Sequence, residues 1–314
     1  MIVQSLDIGL AALVLTLAGW TILARATFPA VVSYVAYGLL LSLIWVRLFA
    51  VDVALTEAAI GGGVTGVLLI GAASRLRKTA ASGTERELAA LWRWAIAALC
   101  TLATLALGAV VLLLPDPSPT LAPRAMANIA ATGLGNPVTA VLIAYRAFDT
   151  MLEKCVLVLA VVGVWSLAPD RYWGGAPGVP RALTPDATLT FFAQLLPPLG
   201  ILIGIRIFWI GADEPGGAFQ GGAILAAMWM IIMMARLADA PAIDQRWLRI
   251  ALGAGPIVFV GVGILGFAAA GGFLNYPAGF AKPVIIFVEI FMTLSIAATL
   301  PMLVAGPPIR APRP

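Results

Sequence analysis

The sequence has no histidine and only two cysteines, Cys100 and Cys155, both set in apolar runs. Without the usual nitrogen and sulfur ligands, most zinc, haem and iron–sulfur schemes drop out. No cofactor is expected, and any redox chemistry has to sit in a partner. Charge is also scarce, at 11% of the residues, which makes a water-soluble reading untenable. There is no phosphate-cradling lysine motif and no nucleophile triad. Gly261-Val262-Gly263-Ile264-Leu265-Gly266 fits the spacing of a dinucleotide loop, but it lies inside an apolar run with no strand before it. The net charge of +4 forms no basic stripe with interleaved aromatics, so nucleic acid is not an expected partner.

What the chain has instead is apolar length. Of its 314 residues 61% are hydrophobic, and the mean hydropathy is +1.02. These values belong to an all-α, polytopic integral membrane protein. A bilayer core of about 30 Å needs roughly 20 residues of helix, and such runs fall near 4–24, 28–47, 51–73, 94–114, 137–168, 189–210, 218–236, 248–270 and 283–304. About nine transmembrane helices are expected. The first lacks a basic start and a small-residue cleavage site, so it reads as a retained helix. Arg75, Arg77, Lys78, Arg86 and Arg93 follow the third run and mark a cytoplasmic loop. The N-terminus is then outside and the C-terminus cytoplasmic, with Arg171, Arg181, Arg236, Arg246, Arg249, Arg310 and Arg313 also inside and Arg47, Arg124 and Lys282 outside.

A polar stretch, 74–92, and a Pro/Gly-rich stretch, 168–185, divide the chain into units of three, two and four helices, with expected modules at 1–93, 94–185 and 186–314. As one straight helix, 137–168 would be about 48 Å long, so it must tilt, kink or begin in the interface.

Charges inside the membrane are costly and are normally kept where they pair, line water or move an ion. Arg146, Asp149, Glu153 and Lys154 fall within nine residues of one apolar run. The other intramembrane charges are Asp52, Glu57, Arg206 and Glu289. Glu57 and Glu289 lie outward of their helix midpoints by roughly 6 to 8 Å at 1.5 Å per residue. Candidates for an ion or proton path are therefore Glu57, Asp149, Glu153, Arg146, Lys154, Glu289 and Asp52: a desolvated carboxylate balanced by a nearby cation can exchange a proton. The alternative is structural. Arg146 and Asp149 are three apart and Asp149 and Glu153 four apart, so they share one helix face on which the arginine could neutralise the acids, and Asp52 and Arg206 lie near helix ends.

The segment Gly211-Ala212-Asp213-Glu214-Pro215-Gly216-Gly217-Ala218-Phe219-Gln220-Gly221-Gly222 joins two helices at the outer face. Its proline and glycines allow a tight reversal and close backbone approach. Gly217 and Gly221, Gly62 and Gly66, and Gly200 and Gly204 share the four-residue spacing of closely packed membrane helices.

Three motifs in order resemble modules of one family. Asp52-Val53-Ala54-Leu55-Thr56-Glu57 resembles the D-x-A-L-T-E/Q signature of the MbhD-like module. Asn136-Pro137-Val138-Thr139, continuing to Arg146, Asp149, Thr150 and Glu153, resembles the adjoining MbhE-like module. Gly211, Pro215, Gly216, Gly217, Phe219, Gly221 and Gly222 follow the signature of the MnhB-like module. Together they resemble a membrane subunit of Mrp-type multisubunit cation/proton antiporters, related to membrane-bound hydrogenases and complex I-like membrane arms. The resemblance implies a bacterial or archaeal cell-membrane protein. Its partners would be other membrane subunits, protons and possibly Na+, and Glu57, Arg146, Asp149 and Glu153 would stand at the family's intramembrane polar positions. Ala212 stands where the family has His, Ala144 where it has Asp and Ala218 where it has Gly. These departures argue against an imidazole-linked titration in the loop and weaken the case for sodium as the transported ion.

Three functions remain open: an antiporter subunit contributing carboxylates to the path, a translocating subunit of a redox-driven complex, and a scaffold whose charges only lock helices. None makes the chain itself an enzyme.

Overall fold

In the computed structural model, which describes residues 2–80, 90–115, 120–178 and 187–311, the chain is all helical. Arg86, Arg181 and Arg313, with Pro180 and Pro185 of the expected 168–185 junction, lie outside the described residues. An apolar backbone segment in lipid has to satisfy its own N–H and C=O groups, and the helix does this within one segment. Helices α1 (Ile2–Leu23) and α2 (Thr27–Arg47) form a hairpin. The next span starts as α3 (Val51–Glu57), loosens into a π-helix at Ala58–Val64 where Gly61, Gly62 and Gly63 fall, and resumes as α4 (Thr65–Ala80). Helix α5 (Ala90–Leu113) is exposed along the whole of its described face.

The middle of the chain departs from the single long helix expected over 137–168. After α6 (Ala122–Asn128), a short α7 (Pro137–Thr139) runs into a π-helix at Ala140–Tyr145, which breaks at Arg146 (φ −124, ψ 34) before α8 (Ala147–Trp165). The break resolves the excess length by a kink. It also frees carbonyls, and side chains take them up: Thr150 Oγ1 donates to Leu142 O at 2.6 Å and the Tyr276 hydroxyl to Ile143 O at 2.9 Å.

Helices α9 (Ala187–Ile210), α10 (Ala218–Met234), α11 (Arg246–Ala270) and α12 (Ala281–Ala305) pack with α8 into a bundle centred on α12, whose Ile285, Val288, Met292, Ile296 and Met302 are buried. Lipid tails are as apolar as leucine, so close packing has to hold such a bundle together. At the α9–α10 contact a Cβ on Gly221 would lie 2.6 Å from the carbonyl oxygen of Gly204, so only glycine fits. The described part of the Pro/Gly-rich stretch, 168–178, is anchored at two points. Gly175 O accepts from Ile243 N at 3.0 Å and Ala176 O from Ile309 N at 3.2 Å, which ties it to the loop after α10 and to the segment after α12.

Among the described residues, seven helices are long and apolar enough to cross a membrane. The number rises to eight if the pair Ala122–Thr132 and Pro137–Tyr145, bent by 94°, forms one span. Two expected spans fall outside that set for physical reasons. Ala147–Trp165 carries Asp149, Glu153 and Lys154, and Ala218–Met234 has only 17 residues. The chain is a multi-pass membrane protein.

Candidate functional site

Four segments far apart in sequence meet at one cavity of about 410 Å³. Its ionisable lining is Asp52 from α3, Glu153 and Lys154 from α8, and Glu289 from α12; Gly216, Gly217, Phe219 and Gln220 come from the glycine loop and the start of α10.

The loop is held from two sides. Asp52, 8% exposed, accepts a hydrogen bond from the Gly216 N–H at 2.8 Å. Gln220 Nε2 donates to Thr56 Oγ1 at 3.2 Å, which binds the first turn of α10 to α3. On the other side, Asn136 caps α7 by accepting from Val138 N at 2.9 Å and donates through Nδ2 to Glu214 O at 2.9 Å, while Thr139 Oγ1 donates to Gly211 O at 2.6 Å. Gly216 and Gly217 sit at φ +152 and +135, a region where a side chain is strained. These glycines let the chain reverse and aim the N-terminus of α10 inward.

Glu289 lies at that N-terminus. It is 2% exposed, the Ala218 backbone N–H is its hydrogen-bonding partner, and its Oε2 has none. The positive end of the α10 dipole favours a carboxylate here. A buried oxygen left without a partner is costly, and it faces a cavity large enough for several waters, the ordinary way such a group is satisfied. Lys154, 6% exposed, makes no ion pair among the described residues. Its ammonium lies 5.2 Å from the centre of the Phe219 ring, within cation–π reach. Buried acid and buried base thus line one space without touching.

The other sequence candidates stand apart. Glu57, half-buried, points its carboxylate at Gly38 and Gly61 between α2 and the first π-helix, where a Cβ on Gly61 would collide with it. Arg146 and Asp149 form a salt bridge with side chains 69% and 49% exposed, on the outer surface of the break. Arg206 is exposed on α9. Arg146 and Asp149 pair at the expected i,i+3 spacing, Asp149 and Glu153 keep their i,i+4 spacing on α8, and of the three only Glu153 lines the cavity. Sequence reasoning missed Asn136, Thr139, Thr150 and Gln220. The only signal for the first three was their place in the motif around the break.

Residues 12–78 match the MbhD family, named for a component of MBH, and residues 188–306 match a domain related to the MnhB subunit of Na+/H+ antiporters. The chain thus carries an MbhD-type module and an MnhB-related module in one polypeptide. Its fold is that of a chain in the Mrp complex from Dietzia sp. DQ12-45-1b (TM-score 0.76, 24% identity), with 97% of this chain and 35% of that one covered. A second similar structure belongs to the membrane-bound sulfane sulfur reductase, an archaeal respiratory membrane complex (TM-score 0.55, 25% identity), with 68% of this chain and 97% of that one covered. Among curated proteins, an uncharacterized protein of Methanocaldococcus jannaschii, MJ1307, is 30% identical over 44% of this fused chain. The fused chain spans 59% of that relative's length.

Proposed function

We propose that the chain is a subunit of a multisubunit cation/proton antiporter and that the cavity around Glu289 is its share of the ion or proton path. The observation that carries this reading is the Glu289 carboxylate, 2% exposed, with Oε2 unpartnered against a cavity that also holds Lys154. A carboxylate placed so can take and release a proton or a small cation as water enters and leaves. Asp52 serves as the clamp that holds the loop in place, and Glu153 as the rim group through which the cavity opens. The fold supports an arrangement in three modules, 1–93, 94–185 and 186–314, the middle one MbhE-like. The N-terminus is outside, and the chain sits in a bacterial or archaeal cell membrane. Other membrane subunits are its partners, and protons, with or without Na+, its cargo.

The test is cation-driven proton flux in vesicles carrying the assembled complex. Glu289→Gln abolishes the flux while the subunit still assembles. Undiminished flux in that variant would remove the cavity from the path. The likeness to a respiratory membrane complex supports a second reading, in which the same cavity serves a redox-driven machine. Flux that requires an electron donor and not a cation gradient would favour it.

A further inference from the structure

Two facts about the cavity are unexplained by a path that needs only carboxylates. A buried ammonium stands in it, and that ammonium lies over a ring and makes no ion pair among the described residues. Lys154 and Glu289 are both almost fully buried and line the same space, yet no ion pair joins them. Of the other acids, Glu153 attracts the ammonium electrostatically but makes no ion pair with it. Asp52 is committed to the Gly216 N–H, and Glu153, next to Lys154 on α8, points to the exposed rim. The ring beneath the ammonium is that of Phe219, half-buried and packed against the buried cluster of Ala223, Ala226, Ile296 and Leu300. An aromatic face offers a cation less than a carboxylate does, but more than an aliphatic side chain. A lysine stem has four rotatable carbons, so its head can move without the backbone.

We propose that Lys154 is a tethered cation with two resting places, the Phe219 ring and Glu289, and that Phe219 is the positioning residue that keeps it off the carboxylate. With the ammonium on the ring, Glu289 is open to an incoming proton or monovalent cation. With the ammonium on Glu289, the carboxylate is occupied and the cargo is displaced. Lys154 therefore competes with the cargo for one group, and the ring sets the terms of that competition. This rests on the proposed function, since it concerns the same carboxylate.

Two readouts on the assembled complex separate the ideas. In a cryo-electron microscopy map of Phe219→Leu, which removes the ring's charge distribution but keeps an apolar side chain, Lys154 density moves from the position beside residue 219 to Glu289. In flux assays the apparent KM for the cation rises about tenfold, the factor that loss of about 1.4 kcal/mol produces, while kcat changes little. Phe219→Tyr and Phe219→Trp restore both. In a Lys154→Gln background, Phe219→Leu has no further effect on KM. Lysine density unmoved by Phe219→Leu, or a KM effect of equal size with Lys154 absent, overturns the proposal. Because the map needs no transport, its result stands even if the antiporter reading fails.

Discussion

Replacing Asp52 tests how the glycine loop is held. The carboxylate accepts from the Gly216 N–H at 2.8 Å in a buried setting. In Asp52→Ala that N–H has no acceptor, and a buried unsatisfied donor costs about 1–3 kcal/mol. If the loop opens locally to recover it, amide exchange across residues 211–217 accelerates about tenfold for each 1.4 kcal/mol lost, so roughly 10- to 100-fold. Asp52→Asn keeps an oxygen at the same place and loses only the charge, so its effect is a small fraction of that. The assay is hydrogen–deuterium exchange on the purified protein, with the 243–244 amides as a distant control. Unchanged exchange at 211–217 in Asp52→Ala, or equal acceleration in the Asn and Ala variants, would refute the claim that this hydrogen bond clamps the loop.

Further expectations concern the break, the glycine contact and the exposed pair. Thr150→Val leaves the Leu142 carbonyl without its 2.6 Å donor and lowers stability by about 1–3 kcal/mol, read as a fall in thermal midpoint in detergent; Thr150→Ser retains most of it. Gly221→Val forces atoms into the Gly204 backbone, and overpacking of this kind costs about 1–3 kcal/mol. Its signature is a loosened α9–α10 contact in limited proteolysis or crosslinking. Asp149→Asn breaks only an exposed pair with Arg146 and changes stability by no more than about 1 kcal/mol. Flux retained in Asp149→Asn but lost in Glu289→Gln matches the geometry, whereas the reverse order would contradict it.

The sequence reading and the structure agree where the signal is local. Apolar length located the helices within a few residues, because lipid imposes that length on any spanning segment. The motif at 211–222 marked a tight reversal, and Gly216 and Gly217 do sit at φ values that only glycine adopts easily. Where the signal is tertiary, sequence reasoning went astray. The spacing of Arg146, Asp149 and Glu153 gave no sign of the π-helix and break at Arg146 that precede α8, nor that only Glu153 of the three would line the cavity. Asp52 sits near a helix end, a position usually cheap and structural, and nothing in its neighbours announced the Gly216 N–H contact 164 residues away. The sequence placed Lys154 beside Glu153 but could not show the aromatic ring of another helix under its ammonium. Depth along an axis says nothing of azimuth, so Glu57 and Glu289, placed at similar depth, face different neighbours.

The account stands or falls on whether the cavity beside Glu289 is wet. A map of the assembled complex at a resolution that shows ordered water is the direct measurement. Water density within hydrogen-bonding distance of Glu289 Oε2, continuing toward Lys154 and the Glu153 rim, is the predicted result. A cavity filled by an apolar side chain of a neighbouring subunit, with Glu289 sealed from water, would contradict it.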